Sequence, residues 1–385
     1  MKPLYRQVRP SVTMGLDEQA RALAATGRDI LNLTAGQVDL PMPEPGKAAI
    51  RQALEEDRTG YIPATGSPEV KAAIRARLGW GEGEVLVSAG AKPLLNAAVA
   101  CLVGPGDQVI LPAPCYTSYP EMARLSGGEP VTVLGDPDRD FIVSGKAIEE
   151  RITAQTKAIL LNNPVNPTGA VYGKEALGEI VDVCLAHDLY LIADEVYDAF
   201  VYESEFVSIY AFPDIRDRLI LVNSASKTYA MAGLRLGYCV APAPVAKAMG
   251  AYLSHTLGCP CSLSERAALA VLAMDEDYEK ANRAIFRDRR DRLHDALSGI
   301  DGLTVKKNAG AFYLWLDISL LDEDVTFCQK LLDQQGVALT PGSAFCCPGY
   351  VRLAYTKDVK TLLEAAARIR RFIKENYSSS SGVSS

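Results

Sequence analysis

The chain has 385 residues, 48% hydrophobic and 23% charged, with a formal net charge of −7 and a pI near 5.3. That length is more than one ordinary core supports, so two domains are expected. The acidic balance excludes a broad basic surface for nucleic acid or anionic lipid, and no apolar run is long enough to cross a bilayer.

The opening MKPLYRQVRP lacks the apolar segment of a secretory signal. Nine cysteines, most standing singly in apolar runs as at Cys101, Cys184 and Cys239, suit reduced, buried thiols and a cytoplasmic protein. With His187, His255 and His294 as its histidines and no C-x-x-C pair, the chain is expected to hold no metal.

From Pro43 onward, short apolar β-rich runs alternate with helical stretches. Strands are predicted over Glu84–Ser88, Gln108–Leu111, Pro130–Leu134, Lys157–Asn162, Leu189–Asp194, Arg218–Asn223 and Leu236–Ala241. Several are apolar throughout, as in a parallel sheet covered on both faces. Helices are predicted over Pro68–Leu78, with Ser67 as N-cap, and over Lys174–His187. The pattern is α/β: a three-layer α/β/α large domain on a mostly parallel seven-stranded sheet, over residues 43–275. A charged helix (Asp275–Leu297) follows. Strands are then expected at Leu303–Lys306, Ala311–Asp317, Val337–Thr340 and Val351–Ala354, before a helix at Lys360–Glu375. Residues 276–377 read as a smaller α+β domain, joined by residues 1–42. The serine-rich 378–385 reads as a disordered tail.

The chemistry-bearing residues cluster where strands end. In SAGAKPLLN, a strand runs through Gly90 into a helix whose first amides, at Ala91 and Lys92, face outward toward an anion. In APCYTSYPEM, Tyr116 is equally a core tyrosine or a face on which a flat ligand stacks. NNPVNPTG is a rigid turn by composition, and its Asn166 is also a donor to a ligand oxygen. In LYLIADEVYDAF, Asp194 either caps a helix or pairs with a protonated ring nitrogen, with Tyr197 three residues on.

SASKTYAMAGLRLGY is more specific. Ser224, Ser226 and Arg235 together suit a phosphate, and Lys227 between them suits imine formation with an aldehyde cofactor. In GYVRLAYT, Arg352 lies inside a short apolar strand, where it needs an anionic partner: an internal carboxylate or a substrate's.

In order and spacing, these motifs resemble the fold-type-I, pyridoxal-phosphate (PLP) dependent aminotransferases of the aspartate aminotransferase-like class I/II family, from LTAGQVDLP to Arg352. The resemblance implies exchange of an amino group between an L-amino acid, aspartate by default, and a 2-oxo acid such as 2-oxoglutarate. It implies a Schiff base on Lys227, which also shuttles the proton, and a pyridoxamine phosphate intermediate. Asp194 matches the ring-nitrogen partner, and Tyr197 and Asn166 match the hydrogen-bond partners of the ring oxygen. Ser224, Ser226, Arg235 and the Ala91–Lys92 amides match the phosphate site, and Tyr116 the stacking ring. Arg352 and Gly36 match the grip on the substrate carboxylate, and Thr13 falls near the side-chain pocket. Tyr61 matches a tyrosine that reaches the neighbouring subunit's phosphate, implying a homodimer with shared sites. Gln37–Val38 in place of an acidic-Pro pair, a shortened stretch between Leu78 and Val85, and Cys115 before Tyr116 depart from the pattern and bear on which side chain is accepted. A PLP-dependent lyase, carbon–sulfur or aminocyclopropane-carboxylate synthase-like, would share the same set. So would a non-catalytic aminotransferase-like regulatory domain, though such domains follow a DNA-binding module and this chain begins almost directly with the domain.

Overall fold

The structure, a computed structural model, describes residues 8, 10 and 12–377; the tail expected at 378–385 lies outside them. In chain order the strands are β1 (Leu31–Asn32), β2 (Glu84–Ser88), β3 (Gln108–Ala113), β4 (Glu129–Leu134), β5 (Thr156–Asn162), β6 (Tyr190–Asp194), β7 (Leu219–Ser224), β8 (Gly237–Ala241), β9 (Thr304–Val305), β10 (Tyr313–Asp317), β11 (Val337–Ala338), β12 (Thr340–Pro341) and β13 (Tyr350–Ala354).

Seven of them form one sheet in the order β2-β8-β7-β6-β5-β3-β4. Its pairings are parallel except those of β8, which runs antiparallel to β2 and β7. Successive residues along a strand enter different cores. Ile159 and Leu161 of β5 join one apolar cluster with Leu191 and Leu221, whereas Leu160 joins another with Ile192 and Val222. The period of two therefore buries both faces, which is why these strands carry almost no polar residues. Helix Lys174–Ala186 covers the first face through Leu177 and Ile180, and helix Ala91–Leu102 the second through Leu94 and Ala98.

A four-stranded antiparallel sheet, β12-β13-β10-β9, sits in a second region with its own core of Phe286, Leu293, Phe327, Leu331, Ile369 and Phe372. Helices Asp277–Leu297, Asp324–Gln335 and Val359–Tyr377 supply these side chains. β1 pairs in parallel with β11, Leu31 opposite Val337. On that pairing we propose the division of residues 1–42 and 276–377 from 43–275. The segment Val196–Tyr202, just beyond β6, packs into the second core as well, so the two cores meet at the end of the large sheet.

One expected strand is corrected. Val337–Thr340 is two short strands in different sheets, β11 against β1 and β12 against β13. Leu339 stands between the two ladders, fully buried, and a continuous apolar run gives no sign of the switch.

Candidate active site

Asn162, Asp194 and Ser224 end the three adjacent strands β5, β6 and β7; the turns after the first two carry Asn166 and Tyr197, and the short helix Ala225–Thr228 after the third carries Lys227. These ends open on a cavity of about 590 Å³. Its walls include Asn166, Asp194, Tyr197, Ser224, Ser226, Lys227 and Arg235, joined by Gly36, Ala91, Lys92, Tyr116 and Arg352. Two expected residues are not among them. Tyr61 is wholly exposed and away from this cavity in the single chain, and the side chain of Thr13 lies outside those described.

One corner is built for an anion. Gly90, at φ +95°, opens helix Ala91–Leu102 and leaves its first amides free at the cavity wall. A Cβ at Gly90 would press on Nη2 of Arg235 at 2.5 Å, so only glycine lets the guanidinium sit there. Arg235 donates Nη1 to the carbonyl of Ala232 at 3.0 Å and pairs with no carboxylate among the described residues. Ser224 Oγ accepts from the Ser226 amide at 3.3 Å, which leaves the Ser224 hydroxyl proton for another acceptor.

Deeper in, the Asp194 carboxyl is buried and accepts from the Tyr119 hydroxyl at 2.7 Å and the Val196 amide at 3.3 Å. Burial pushes its pKa up to about 6, against those hydrogen bonds and the Lys227 charge. The chain after Asp194 forms turns rather than a helix, so the capping alternative falls. Lys227 Nζ donates to the Gly36 carbonyl. Burial, then the Arg352 and Arg235 charges, push its pKa down to about 8, with Asp194 opposing. An amine so placed holds a far larger neutral, nucleophilic fraction near neutral pH than an ordinary lysine does. Glu195 has a different task. It accepts from Ser208 Oγ at 2.7 Å and the Ile209 amide at 2.8 Å, and so fastens the following loop.

Arg352, on β13, is buried. Nη1 donates to Asn166 Oδ1 at 2.8 Å and Nη2 to the Thr34 carbonyl, while Nε has no hydrogen-bond partner among the described residues. The guanidinium carbon lies 4.5 Å from the Tyr313 ring centre and 4.8 Å from that of Phe345. No Asp or Glu pairs with it among the described residues, and burial pushes its pKa down. The internal-carboxylate alternative therefore falls. A buried cation with an orphaned N–H and a cavity in front of it is a seat for an incoming anion.

Two residues escaped the sequence reading. Tyr119 stands one helical step from Tyr116, and that i, i+3 spacing on a cavity-facing turn was the available signal. Tyr313 joins the Tyr197 hydroxyl at 2.8 Å, and Asn166 Nδ2 donates to the same Tyr197 hydroxyl at 3.4 Å. A Cβ at Gly36 would fall on the Tyr313 hydroxyl, so glycine is needed there for close approach. Nothing local in AFYLWL marks Tyr313; its role comes from strand register, two places along from Trp315, which faces Arg352.

Residues 28–369 match the family described as Aminotransferase class I and II. The chain is 36% identical to the probable aspartate/prephenate aminotransferase of Aquifex aeolicus, over 96% of this chain and 97% of that one. It is 37% identical to the aspartate aminotransferase of Thermotoga maritima, over 94% and 96%. Among solved structures, the aspartate aminotransferase from Thermus thermophilus with maleate superposes with a TM-score of 0.92 at 34% identity, covering 97% of this chain and 99% of that one.

Proposed function

The chain belongs to the class I and II aminotransferases and is a PLP-dependent transaminase, and from that premise we propose that its amino donor is L-aspartate, with a 2-oxo acid such as 2-oxoglutarate as acceptor. The observation that carries the proposal is that, beyond Arg235 and Lys227, which the phosphate and the Schiff base would engage, the cavity wall holds two more cations with no acidic partner among the described residues: Arg352 and Lys92. Arg21, also on the wall, is already paired with Asp17 at 2.8 Å. A dicarboxylate needs two such charges, and relatives named for aspartate agree with it. Those names also favour transamination over the lyase and regulatory alternatives.

The residues present fit PLP. Arg235, the Ser224 and Ser226 hydroxyls and the Ala91–Lys92 amides suit its phosphate; Asp194 suits its ring nitrogen; Asn166 and Tyr197 suit its ring oxygen; and Tyr116 suits its face. When bound, the cofactor supplies an electron-withdrawing ring that stabilises negative charge at the substrate Cα. Asp194 keeps its carboxylate beside that ring, where a cationic partner would lower the cost of ionising it. Arg352 binds the substrate α-carboxylate through its planar fork, with Gly36 close by, and so orients the Cα–H bond. Lys227 anchors the cofactor and carries a proton to and from Cα, and its lowered pKa suits both duties. Lys92 takes the side-chain carboxylate, its own backbone having already turned into the helix. Tyr61, exposed in the single chain, would serve the phosphate of a second subunit in a homodimer.

A donor-by-acceptor screen, read from the cofactor's absorbance as amino groups load onto it, tests this proposal. Aspartate and glutamate should convert the cofactor far faster than alanine or leucine. Equal rates for neutral and acidic donors would overturn the dicarboxylate assignment.

A further inference from the structure

Cys115 and Cys346 meet in the fold although they are far apart in the chain. Cys115 directly precedes Tyr116 of the cavity wall; Cys346 follows Phe345 in the turn between β12 and β13. The Cys115 amide donates to the Phe345 carbonyl at 3.2 Å, and Cys346, the next residue, packs against the apolar cluster to which Cys115 belongs. Cys115 is buried, whereas Cys346 is partly exposed on a groove of about 780 Å³ beside Leu125, Tyr252 and Leu257. Cys346 also holds a left-handed backbone, φ +64°, where glycine would be easier. Local conformation therefore does not account for a thiol at this position.

We propose that Cys115 and Cys346 form a reversible redox pair whose disulfide slows the transaminase. Two thiols give up two electrons and two protons and form one S–S bond. The oxidant is a peroxide, reduced to two waters, or a small-molecule disulfide, reduced to two thiols. The hydrogen bond to Cys346, with burial, holds the Cys115 pKa well above its usual value, so the proton stays on Cys115. The groove-facing Cys346 sulfur therefore attacks first: it breaks the O–O bond, takes oxygen and releases water. Cys115 then displaces that oxygen as the second water.

The sulfurs must close to about 2.05 Å in a set geometry. That closure pulls on Tyr116 from one side and, from the other, on Phe345, which supports the Arg352 guanidinium. The predicted effect on rate rests on the proposed roles of Tyr116 and Arg352. The bond itself does not.

The test treats reduced, cofactor-loaded protein with hydrogen peroxide or glutathione disulfide and maps cross-links by mass spectrometry without reduction. A Cys115–Cys346 link is expected, together with loss of most turnover, retained cofactor absorbance, and recovery with dithiothreitol. Cys346→Ser should keep its starting activity and resist oxidation, while Cys347→Ser should still switch. Oxidation confined to the exposed Cys261, a link to Cys347, or the expected link with unchanged turnover would each overturn the proposal. Should Cys346→Ser fail to fold, the wild-type cross-link map decides alone. Because the map is read without substrate, its failure is distinct from a wrong substrate assignment.

Discussion

Arg352 Nη1 donates to Asn166 Oδ1 at 2.8 Å, joining a strand of the small sheet to the loop that leaves the middle of the large one. The residue proposed to grip the substrate and the residue proposed to touch the cofactor's ring oxygen are therefore held as one unit. A carboxylate arriving at Arg352 is met by a guanidinium already oriented across the junction of the two cores.

Arg352→Lys keeps the charge and loses the fork. We expect kcat/KM for amino acids to fall by about 10²-fold or more, roughly 3 kcal/mol, with cofactor occupancy unchanged. An amine without a carboxylate should react about equally well with wild type and variant. Joint loss of stability and cofactor, with the amino acid preference intact, would make Arg352 a structural residue.

Asp194 sets a pH signature. Its pKa rises from 3.8 to about 6, and burial likewise raises Asp198 to about 6 and Glu195 to about 8. Between about pH 4 and 8 the native chain thus binds more protons than the unfolded one, so cofactor-free protein should lose stability as pH rises. Lys227, lowered to about 8, acts in the opposite direction only above that window. Asp194→Asn should make the decline below about pH 6 shallower in chemical unfolding curves, Asp198 and Glu195 keeping their share, and should slow the half-reaction by several orders of magnitude. An unchanged pH profile, or activity within about tenfold of wild type (roughly 1.4 kcal/mol), would count against this role.

Much of this was legible in the sequence because burial on two faces leaves a plain mark. Six of the seven strands of the large sheet stand out as buried apolar runs, the edge strand β4 being mostly exposed or half-buried, and Asp194 and Ser224, each at a strand's last position, face the cavity. Arg352 was legible as an anomaly, an arginine between valine and leucine; that no acid pairs with it is a tertiary fact. Tyr313, the split at Leu339 and the partnership of Tyr119 with Asp194 were hidden for the same reason. Each depends on register or on a neighbour distant in sequence, to which local composition is blind.

Lys92 separates acidic from neutral donors. Lys92→Met keeps the length of the stem and removes the charge, so aspartate should lose about 10-fold or more in kcat/KM while alanine changes little. A uniform loss across donors would place Lys92 with the phosphate rather than with the substrate side chain.

Tyr61 tests the shared site. Sedimentation should give a dimer, and Tyr61→Phe should weaken cofactor binding several-fold without changing the dimer. Mixing inactive Lys227→Ala with Tyr61→Phe should restore tight cofactor binding at one site of each hybrid dimer, where Lys227 and Arg235 of one chain meet the intact Tyr61 of the other. A fully active monomer would contradict the arrangement.

The central claim is that Lys227 carries the cofactor, and borohydride reduction of the cofactor-loaded protein followed by peptide mapping tests it most directly. The account predicts a single modified peptide spanning Ser224 to Arg235, with the cofactor's mass on Lys227. Attachment at Lys92 or any other lysine, or no attachment at all, would contradict it.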